Sequence, residues 1–252
     1  MTGAKIKTLL IDIETFPNEA YTWGLWDQNI SLEMLKKSGS IACWAAGWAG
    51  GKQVYYDSVH QSGYQDMLQG IYDLMNEAEA VVTYNGDKFD LPWLRGEFLK
   101  VGFTPPAPAR SIDLLKTVKS QFRFPSNKLQ YVSQALGLGK KLDHEGFPLW
   151  EKCMRGEKQA WKTMEEYNIQ DVVLLEKLLN KLAGYVKNYP NQSVISGELK
   201  CPKCGSKHYQ SRGEYVTLAG TYARFQCAAK GCGKWFRGNK NKAAGKEKFI
   251  PL

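Results

Sequence analysis

The chain has 252 residues, of which 43% are hydrophobic and 23% are charged, as in a globular protein with one full core and space for a small additional module. It contains no run of about 18 apolar residues, so we expect no membrane-spanning helix. The N-terminal apolar run ends in acids without a small-residue cleavage site, so we expect no signal peptide and a cytoplasmic location.

The net charge of +9 is unevenly distributed along the chain. Residues 1–190 contain 22 basic and 22 acidic residues, whereas residues 191–252 contain 12 basic and 3 acidic residues. Such an asymmetry favours attraction of the C-terminal quarter to a polyanion. A basic tail that only improves solubility would carry the same charge, so this alternative stays open.

Predicted strands and helices alternate along most of the chain. Strands are predicted at residues 5–13, 40–51, 52–58, 78–85 and 110–114, from apolar or alternating runs bounded by turn residues. Helices are predicted at residues 64–79, 89–101, 113–120, 127–137 and 157–186, from apolar residues at helical spacing. Three strands in a meander, followed by alternating helices and strands, predict the α/β class, with a mixed sheet flanked by helices.

Two acids, Asp12 and Glu14, interrupt the apolar first strand at its C-terminal end. Residues two apart on a strand share a face, so both carboxylates would project in the same direction. Like charges this close raise a pKa and cost stability unless a cation lies between them. One acid of a D-x-E sequence can also point into solvent. The pair therefore indicates a cation site only if other acids lie nearby.

Two later segments supply further candidate acids. Asp90 follows the buried strand at 78–85, where ligands bind in α/β sheets, although it could equally start a helix and Asp87 is a rival. Tyr167 and Asp171 lie one turn apart on the last long helix and therefore share a face. For Asp113, at the end of another strand, we expect a structural role.

The order of these motifs, D-x-E, N-x4-D and Y-x3-D, resembles that of the DEDD superfamily of 3′–5′ exonucleases. The likeness covers about residues 5–185 and is greatest to the proofreading domains of family B DNA polymerases, which have a ribonuclease-H-like fold. Residues 127–141 also resemble the helix that precedes the third motif in these relatives. Glu166 stands where the histidine branch has its histidine, so the tyrosine (DEDDy) branch is the better match.

This resemblance implies a role for each matching residue. The four metal-binding carboxylates would be Asp12, Glu14, Asp90 and Asp171, and Tyr167 would orient or help deprotonate the attacking water. The resemblance prefers Asp90 to Asp87, because Phe89 and Asp90 match the aromatic–Asp ending of the second motif. The residues implied in substrate binding are Thr15, Phe16 and Asn85. Two Mg²⁺ or Mn²⁺ ions, roughly 3.5–4 Å apart, suit such oxygen ligands and would assist both the attacking water and the leaving 3′ oxygen.

Four of the six cysteines are paired by their spacing near the C-terminus. They are Cys201 and Cys204 (C-x2-C), then, after a gap of 22 residues, Cys227 and Cys232 (C-x4-C). In a reducing compartment this spacing favours metal binding, and four thiolates would complete a structural Zn²⁺ site in a zinc ribbon. His208 is an alternative to one thiolate, and Cys43 and Cys153 are expected to be inert thiols.

Aromatic and basic residues are interleaved in this cysteine module, as in proteins that bind single strands. They are Tyr209, Tyr215, Tyr222, Phe225, Trp235 and Phe236, with Arg212, Arg224, Lys234 and Arg237. Two alternatives stay open: the aromatic residues could form the small core of the module, and the module could dock on a protein.

The sequence thus predicts a ribonuclease-H-like exonuclease domain at 1–187, a linker at 188–199, a zinc ribbon at 200–238 and a basic tail at 239–252. The predicted activity is metal-dependent 3′–5′ hydrolysis of nucleic acid, with single-stranded DNA 3′ ends favoured and the ribbon aiding binding. A replication or repair protein is a further candidate partner. The alternatives are a structure-specific endonuclease, an exoribonuclease, or a noncatalytic adaptor that binds nucleic acid or protein; oligomeric state is not predicted.

Overall fold

The computed structural model describes residues 6–245, which divide into two compact units. The first comprises residues 7–178, and the second contains Ile6 and residues 179–245 of the described chain. No helix within residues 6–245 is both long enough and apolar enough to cross a membrane. The boundaries predicted for the linker and the ribbon stay predictions.

A five-stranded mixed sheet forms the centre of the first unit. Its strands are β1 (Thr8–Thr15), β4 (Ile41–Trp48), β5 (Val54–Ser58), β6 (Ala80–Thr83) and β7 (Arg110–Asp113), in the order β5-β4-β1-β6-β7. Strand β4 is antiparallel to β1 and β5, whereas β6 is parallel to both β1 and β7. The predicted mixed sheet is confirmed. Two short strands that the sequence did not predict, β2 (Glu19–Ala20) and β3 (Leu35–Lys37), pair in the connection between β1 and β4, beside a 3₁₀ turn at Leu32–Met34.

Six helices accompany this sheet. They are α1 (Tyr64–Glu77), α2 (Asp90–Lys100), α3 (Leu114–Gln121), α4 (Leu129–Ala135), α5 (Phe147–Met154) and α6 (Lys158–Lys181). All except α5 were predicted. Gly146, at a φ of 78°, and Pro148, in the first turn, start α5, because glycine allows the left-handed backbone and proline fits the first turn of a helix.

Strand β1 separates two apolar clusters by the alternation of its side chains. Leu9, Ile11 and Ile13 are buried against α1 and α2. On the opposite face the cluster consists of residues of β4, α5 and α6, including Trp161 and Tyr167. The even-numbered residues of β1 project towards this second side, where Asn168 of α6 donates a hydrogen bond to Asp12. Strand β1 therefore packs apolar side chains into the core on one face and presents acidic side chains on the other.

The second unit contains a short helix and a separate antiparallel sheet. Helix α7 (Gln192–Ser196) lies within the predicted linker and is capped by the side chain of Asn191. Strands β8 (Tyr209–Val216), β9 (Thr221–Cys227) and β10 (Trp235–Asn241) pair in the order β10-β9-β8. Strand β10 includes the start of the predicted basic tail, and residues 246–252 of that tail lie outside the described residues.

Candidate functional site

Three carboxylates of the first unit form a compact group. Asp12 and Glu14 lie at the end of β1, and Asp171 lies on α6, with one carboxylate oxygen of each within 4.8 Å of the others. Asp171 is only 1% exposed, and its Oδ1 has no hydrogen-bond partner among residues 6–245. A buried carboxylate oxygen without a partner beside two further carboxylates is a suitable setting for a cation.

Asp90 lies beside this group as the first residue of α2. It is buried, and its Oδ1 accepts a hydrogen bond of 3.1 Å from the backbone N–H of Ile13. Its charge contributes to raising the pKa of both Asp12 and Glu14. The rival Asp87 pairs instead with Lys116 at 2.6 Å and accepts the hydroxyl hydrogen of Ser111.

The acids of the group all have raised pKa values. Burial raises the pKa of Asp12 well above its ordinary value, and the charges of Asp171, Asp90 and Glu14 raise it further. Burial likewise raises the pKa of Glu14 to about 8 and that of Asp90 to about 7. It also raises the pKa of Asp171, although Lys141 opposes the shift. Without a cation, Glu14 is therefore mostly protonated at neutral pH, and burial disfavours the ionised form of all four acids.

Lys141 and Asn168 are two site residues that sequence reasoning missed. The Nζ of Lys141 donates to Asp171 Oδ2 and, at 3.0 Å, to the hydroxyl of Tyr167. Fully buried Asn168 donates from Nδ2 to Asp12 Oδ2 at 2.7 Å. A usable signal existed for Asn168, which follows Tyr167 directly and is three residues before Asp171 on the same helix. Lys141 lies between α4 and α5 without regular structure, so no periodicity indicated where its side chain points.

Tyr167 contacts the same lysine through its hydroxyl. Its side chain is 8% exposed, and the ring of His144 packs against it with centroids 4.7 Å apart. Burial raises the pKa of Tyr167 to about 12, with added contributions from Asp171 and Glu14. The hydroxyl therefore stays protonated at neutral pH and acts as a hydrogen-bond donor.

The three residues implied in substrate binding lie in different settings. Thr15 ends β1 after an irregularity in its pairing, and the N–H of Phe16 donates to Ser40 at 2.8 Å. Asn85 adopts a φ of 72°, and its N–H donates to Asp113, which also caps α3. Asn85 lines an open cavity of about 790 Å³, whereas Thr15 and Phe16 do not line it. The other lining residues include Asp12, Lys141, His144 and Tyr167.

The four paired cysteines form a second cluster, in the second unit. The Sγ atoms are 3.8 Å apart in Cys201 and Cys232 and 3.6 Å apart in Cys204 and Cys227, and all four lie within 4.8 Å of one another. Tetrahedral Zn²⁺ with bonds of about 2.3 Å separates its sulfurs by about 3.8 Å, whereas a disulfide requires about 2.05 Å. The spacing therefore fits a metal, and His208 is not part of the cluster as described.

Much of the chain shares its fold with part of a solved structure. The chain is similar to the family B DNA polymerase from the hyperthermophilic archaeon Pyrobaculum calidifontis, with a TM-score of 0.54 and 15% sequence identity. The similarity covers 77% of this chain and 27% of the polymerase, so the chain spans about a quarter of that protein's length. At this identity the likeness concerns the fold alone. No curated protein sequence matches the chain.

A family model described as the RNase_H superfamily matches residues 33–183. The match begins after β1, so Asp12 and Glu14 precede it, while Asp90 and Asp171 lie within it. It covers more than half of the chain and includes four of the five strands of the central sheet, which confirms the predicted ribonuclease-H-like fold. The chain belongs to the RNase_H superfamily.

Proposed function

We propose that the protein is a metal-dependent 3′–5′ exonuclease that hydrolyses the phosphodiester bonds of nucleic acid. Membership in the RNase_H superfamily supports a nuclease activity, and with it binding to nucleic acid. The observation that carries the finer proposal is the group of Asp12, Glu14 and Asp171, with Asp90 beside it and Tyr167 on the adjacent helix turn.

The donor set of this site fits divalent cations that prefer oxygen ligands. Asp12, Glu14, Asp90 and Asp171 would hold two Mg²⁺ or Mn²⁺ ions, because a hard cation favours carboxylates over nitrogen or sulfur. Burial and neighbouring acids raise the pKa values of Asp12 and Glu14 despite Lys141, and Oδ1 of Asp171 has no hydrogen-bond partner in the described chain, so bound cations would stabilise the ionised acids. When bound, the two ions would supply an acidified water and charge stabilisation at the leaving oxygen.

The protein's own side chains would then orient the reactants. The hydroxyl of Tyr167 would orient the attacking water or the phosphate, or help to deprotonate that water. Asn168 fixes the rotamer of Asp12 by its hydrogen bond. Lys141 brings a positive charge to the edge of the acidic group, where the anionic phosphate would approach.

The direction of hydrolysis and the preference for single-stranded DNA are proposed from the order of the three motifs. The shared fold with a family B DNA polymerase agrees with this choice of DNA. A replication or repair protein is the partner class that this reading proposes.

We further propose that the four paired cysteines bind one structural Zn²⁺ and that their module adds affinity for nucleic acid. On this reading the nuclease domain comprises residues 1–187, followed by a linker at 188–199, the ribbon at 200–238 and the basic tail at 239–252.

A digestion experiment tests the proposed activity. Single-stranded DNA and RNA labelled at either end, and covalently closed single-stranded circles, are incubated with Mg²⁺ or Mn²⁺. We expect stepwise shortening of linear DNA from its 3′ end, no cleavage of circles, and no activity without added metal. Cleavage of circles would identify an endonuclease, preference for RNA an exoribonuclease, and absence of cleavage an adaptor.

The matched control for this experiment is a pair of Asp→Asn variants. Asp171→Asn removes a buried acid of the group, whereas Asp73→Asn removes an exposed acid that lies on α1. Only the first should eliminate the metal-dependent products. Equal activity of both variants would contradict the assignment of the site.

A further inference from the structure

The sheet of the second unit has two chemically different faces. Phe225 of β9 lies directly opposite Phe236 of β10, with ring centroids 5.7 Å apart. Tyr209 of β8 packs against both rings at 5.5 and 5.7 Å. These three mutually packed rings form the small core of the sheet, so their faces are already used within the protein.

The opposite face carries two arginines and two further aromatic rings. Arg224 of β9 and Arg237 of β10 are direct cross-strand neighbours. The guanidinium of Arg224 lies 5.2 Å from the ring centroid of Trp235, and that of Arg237 lies 3.9 Å from the ring centroid of Tyr222. We name Tyr222, Arg224, Trp235 and Arg237 the arginine face.

The positive charge of the arginine face is not offset by acids of the sheet. Like charges directly opposite each other destabilise a strand pair. The described strand register nevertheless places no acidic residue on this face. Glu214 is in register with Ala223 on the other face, and its carboxylate pairs with Lys242 at 2.8 Å. The arrangement therefore retains repulsion that an anion would relieve.

The arginines also keep hydrogen-bond donors for a ligand. Arg224 donates through Nε to the carbonyl of Arg212, and Arg237 donates through Nη1 to the carbonyl of Gly238. A guanidinium has five N–H donors in a planar fork that matches phosphate oxygens. Both arginines and Trp235 are exposed, with Trp235 at 49%, so a ligand can approach them.

We propose that the arginine face binds single-stranded nucleic acid, with phosphates on Arg224 and Arg237 and unpaired bases on Trp235 and Tyr222. The positive charge of the arginine face favours a polyanion. The adjacent aromatic rings favour a polyanion whose flat bases are accessible, and a duplex keeps its bases stacked in its interior. The assignment rests on the proposed function for its substrate class, and it specifies which surface of the cysteine module holds the strand.

The first test measures the salt dependence of binding. The full chain carrying Asp171→Asn is titrated with a fluorescent single-stranded oligonucleotide at several salt concentrations. This substitution prevents hydrolysis, so no chelator is needed that would also remove zinc. Adding Arg224→Gln and Arg237→Gln should reduce the slope of log Kd against log salt by about 1.4, because each phosphate contact on a single strand contributes about 0.7. The matched control, Lys207→Gln with Lys230→Gln, removes two exposed charges of the same module and should reduce the slope less.

The second test separates stacking from charge. Trp235→Ala with Tyr222→Ala should weaken single-strand binding about tenfold or more at every salt concentration, with little change in slope. Duplex binding should change much less. The zinc content of every variant is measured, so that loss of the fold is distinguished from loss of the surface.

Cross-linking of the unsubstituted face gives a result that does not depend on the folding of variants. An oligonucleotide containing 5-iodouracil is irradiated with the Asp171→Asn protein, and the attached peptides are identified by mass spectrometry. We expect attachment at Trp235 or Tyr222; attachment only outside β8–β10, or an arginine variant with unchanged Kd and slope, would overturn the proposal.

The two proposals fail in different ways. If the wild-type protein hydrolyses no nucleic acid but its binding still depends on the arginine face, the proposed activity is wrong and this inference holds. If hydrolysis occurs while the face variants bind like the parent, the inference alone is wrong.

Discussion

Lys141 is a positively charged residue that directly contacts the candidate acidic site. Its ammonium group bonds Asp171, which is 1% exposed, and the hydroxyl of Tyr167. The position of this lysine depends on an irregular segment between α4 and α5, so neither helical nor strand periodicity could predict it. Strand alternation predicted that Asp12 and Glu14 share a face, whereas their grouping with Asp171 was predicted from the resemblance of the motif order; the structure places these three acids together.

Removing this lysine should destabilise the protein when no divalent cation is added. Lys141→Met leaves Asp171 buried without its partner, and we expect a loss of about 1–3 kcal/mol in the free energy of unfolding. Urea denaturation in Mg²⁺-free buffer measures it. The neighbouring Lys140→Met is the control, because its partner Asp143 is exposed and its loss should leave stability nearly unchanged. Equal effects of the two substitutions would contradict the role of Lys141.

The carboxylates and the tyrosine should differ in their effect on turnover. Asp12→Ala or Asp171→Asn should lower kcat by at least about a hundredfold, because each removes a ligand from a site that stabilises charge. Tyr167→Phe should lower kcat by about tenfold, since it removes only a donor that orients water. Single-turnover hydrolysis measures these rates, and circular dichroism checks that each variant is folded. A larger loss in Tyr167→Phe than in the Asp variants would reverse the assigned roles.

At the scale of elements, β1 combines the core and the site through the two faces of one strand. Leu9, Ile11 and Ile13 are buried against α1 and α2, and Asp12 and Glu14 project from the other face. This division follows from strand alternation, which is why the sequence predicted both roles. Among the elements that it did not predict, β2 has two residues and β3 has three, too few to show a period, and α5 has only eight, about two helical turns.

A core substitution in β1 should therefore separate stability from catalysis. Ile11→Ala leaves a cavity at a fully buried position, and we expect a loss of about 2–5 kcal/mol in the free energy of unfolding. Activity per folded molecule should remain within a few-fold of wild type, because the acids on the opposite face are unchanged. Leu99→Ala, at a 78% exposed position on α2, is the control for denaturation experiments. A loss of activity exceeding the loss of folded protein would mean that the two faces are coupled.

At the scale of the whole molecule, net charge and paired cysteines are concentrated in the C-terminal quarter of the chain. Residues 1–190 carry equal numbers of acidic and basic residues, and the +9 charge belongs to residues 191–252. The position of charged residues and the spacing of cysteines can be read directly from the sequence, so the sequence predicted the basic module and its cysteine cluster. The distribution of its aromatic residues between two sheet faces depends on strand register and on a bulge between Ser211 and Glu214, which spacing alone did not reveal.

Loss of zinc should weaken binding more than hydrolysis. Cys201→Ser with Cys232→Ser should reduce the bound zinc from about one ion per chain to near zero. We expect weaker binding to single-stranded DNA at moderate salt and detectable Mg²⁺-dependent hydrolysis at high enzyme concentration. Metal analysis and anisotropy measure both quantities, with Cys153→Ala, outside the cluster, as the control. Zinc retained by the double variant would contradict the predicted ligands.

The position of the cysteines also makes the second sheet sensitive to oxidation. Cys227 is the last residue of β9, and Cys232 precedes the first residue of β10 by three positions. The cysteine cluster therefore links the ends of the connection between β9 and β10, the two strands on which Arg224 and Arg237 lie opposite each other. Peroxide that joins Cys201 to Cys232 would draw their sulfurs from 3.8 Å to about 2.05 Å and eliminate the proposed Zn²⁺ site. Protein stored in air should therefore lose its affinity for single strands before it loses its hydrolytic activity, and a thiol reductant with added zinc should restore that affinity.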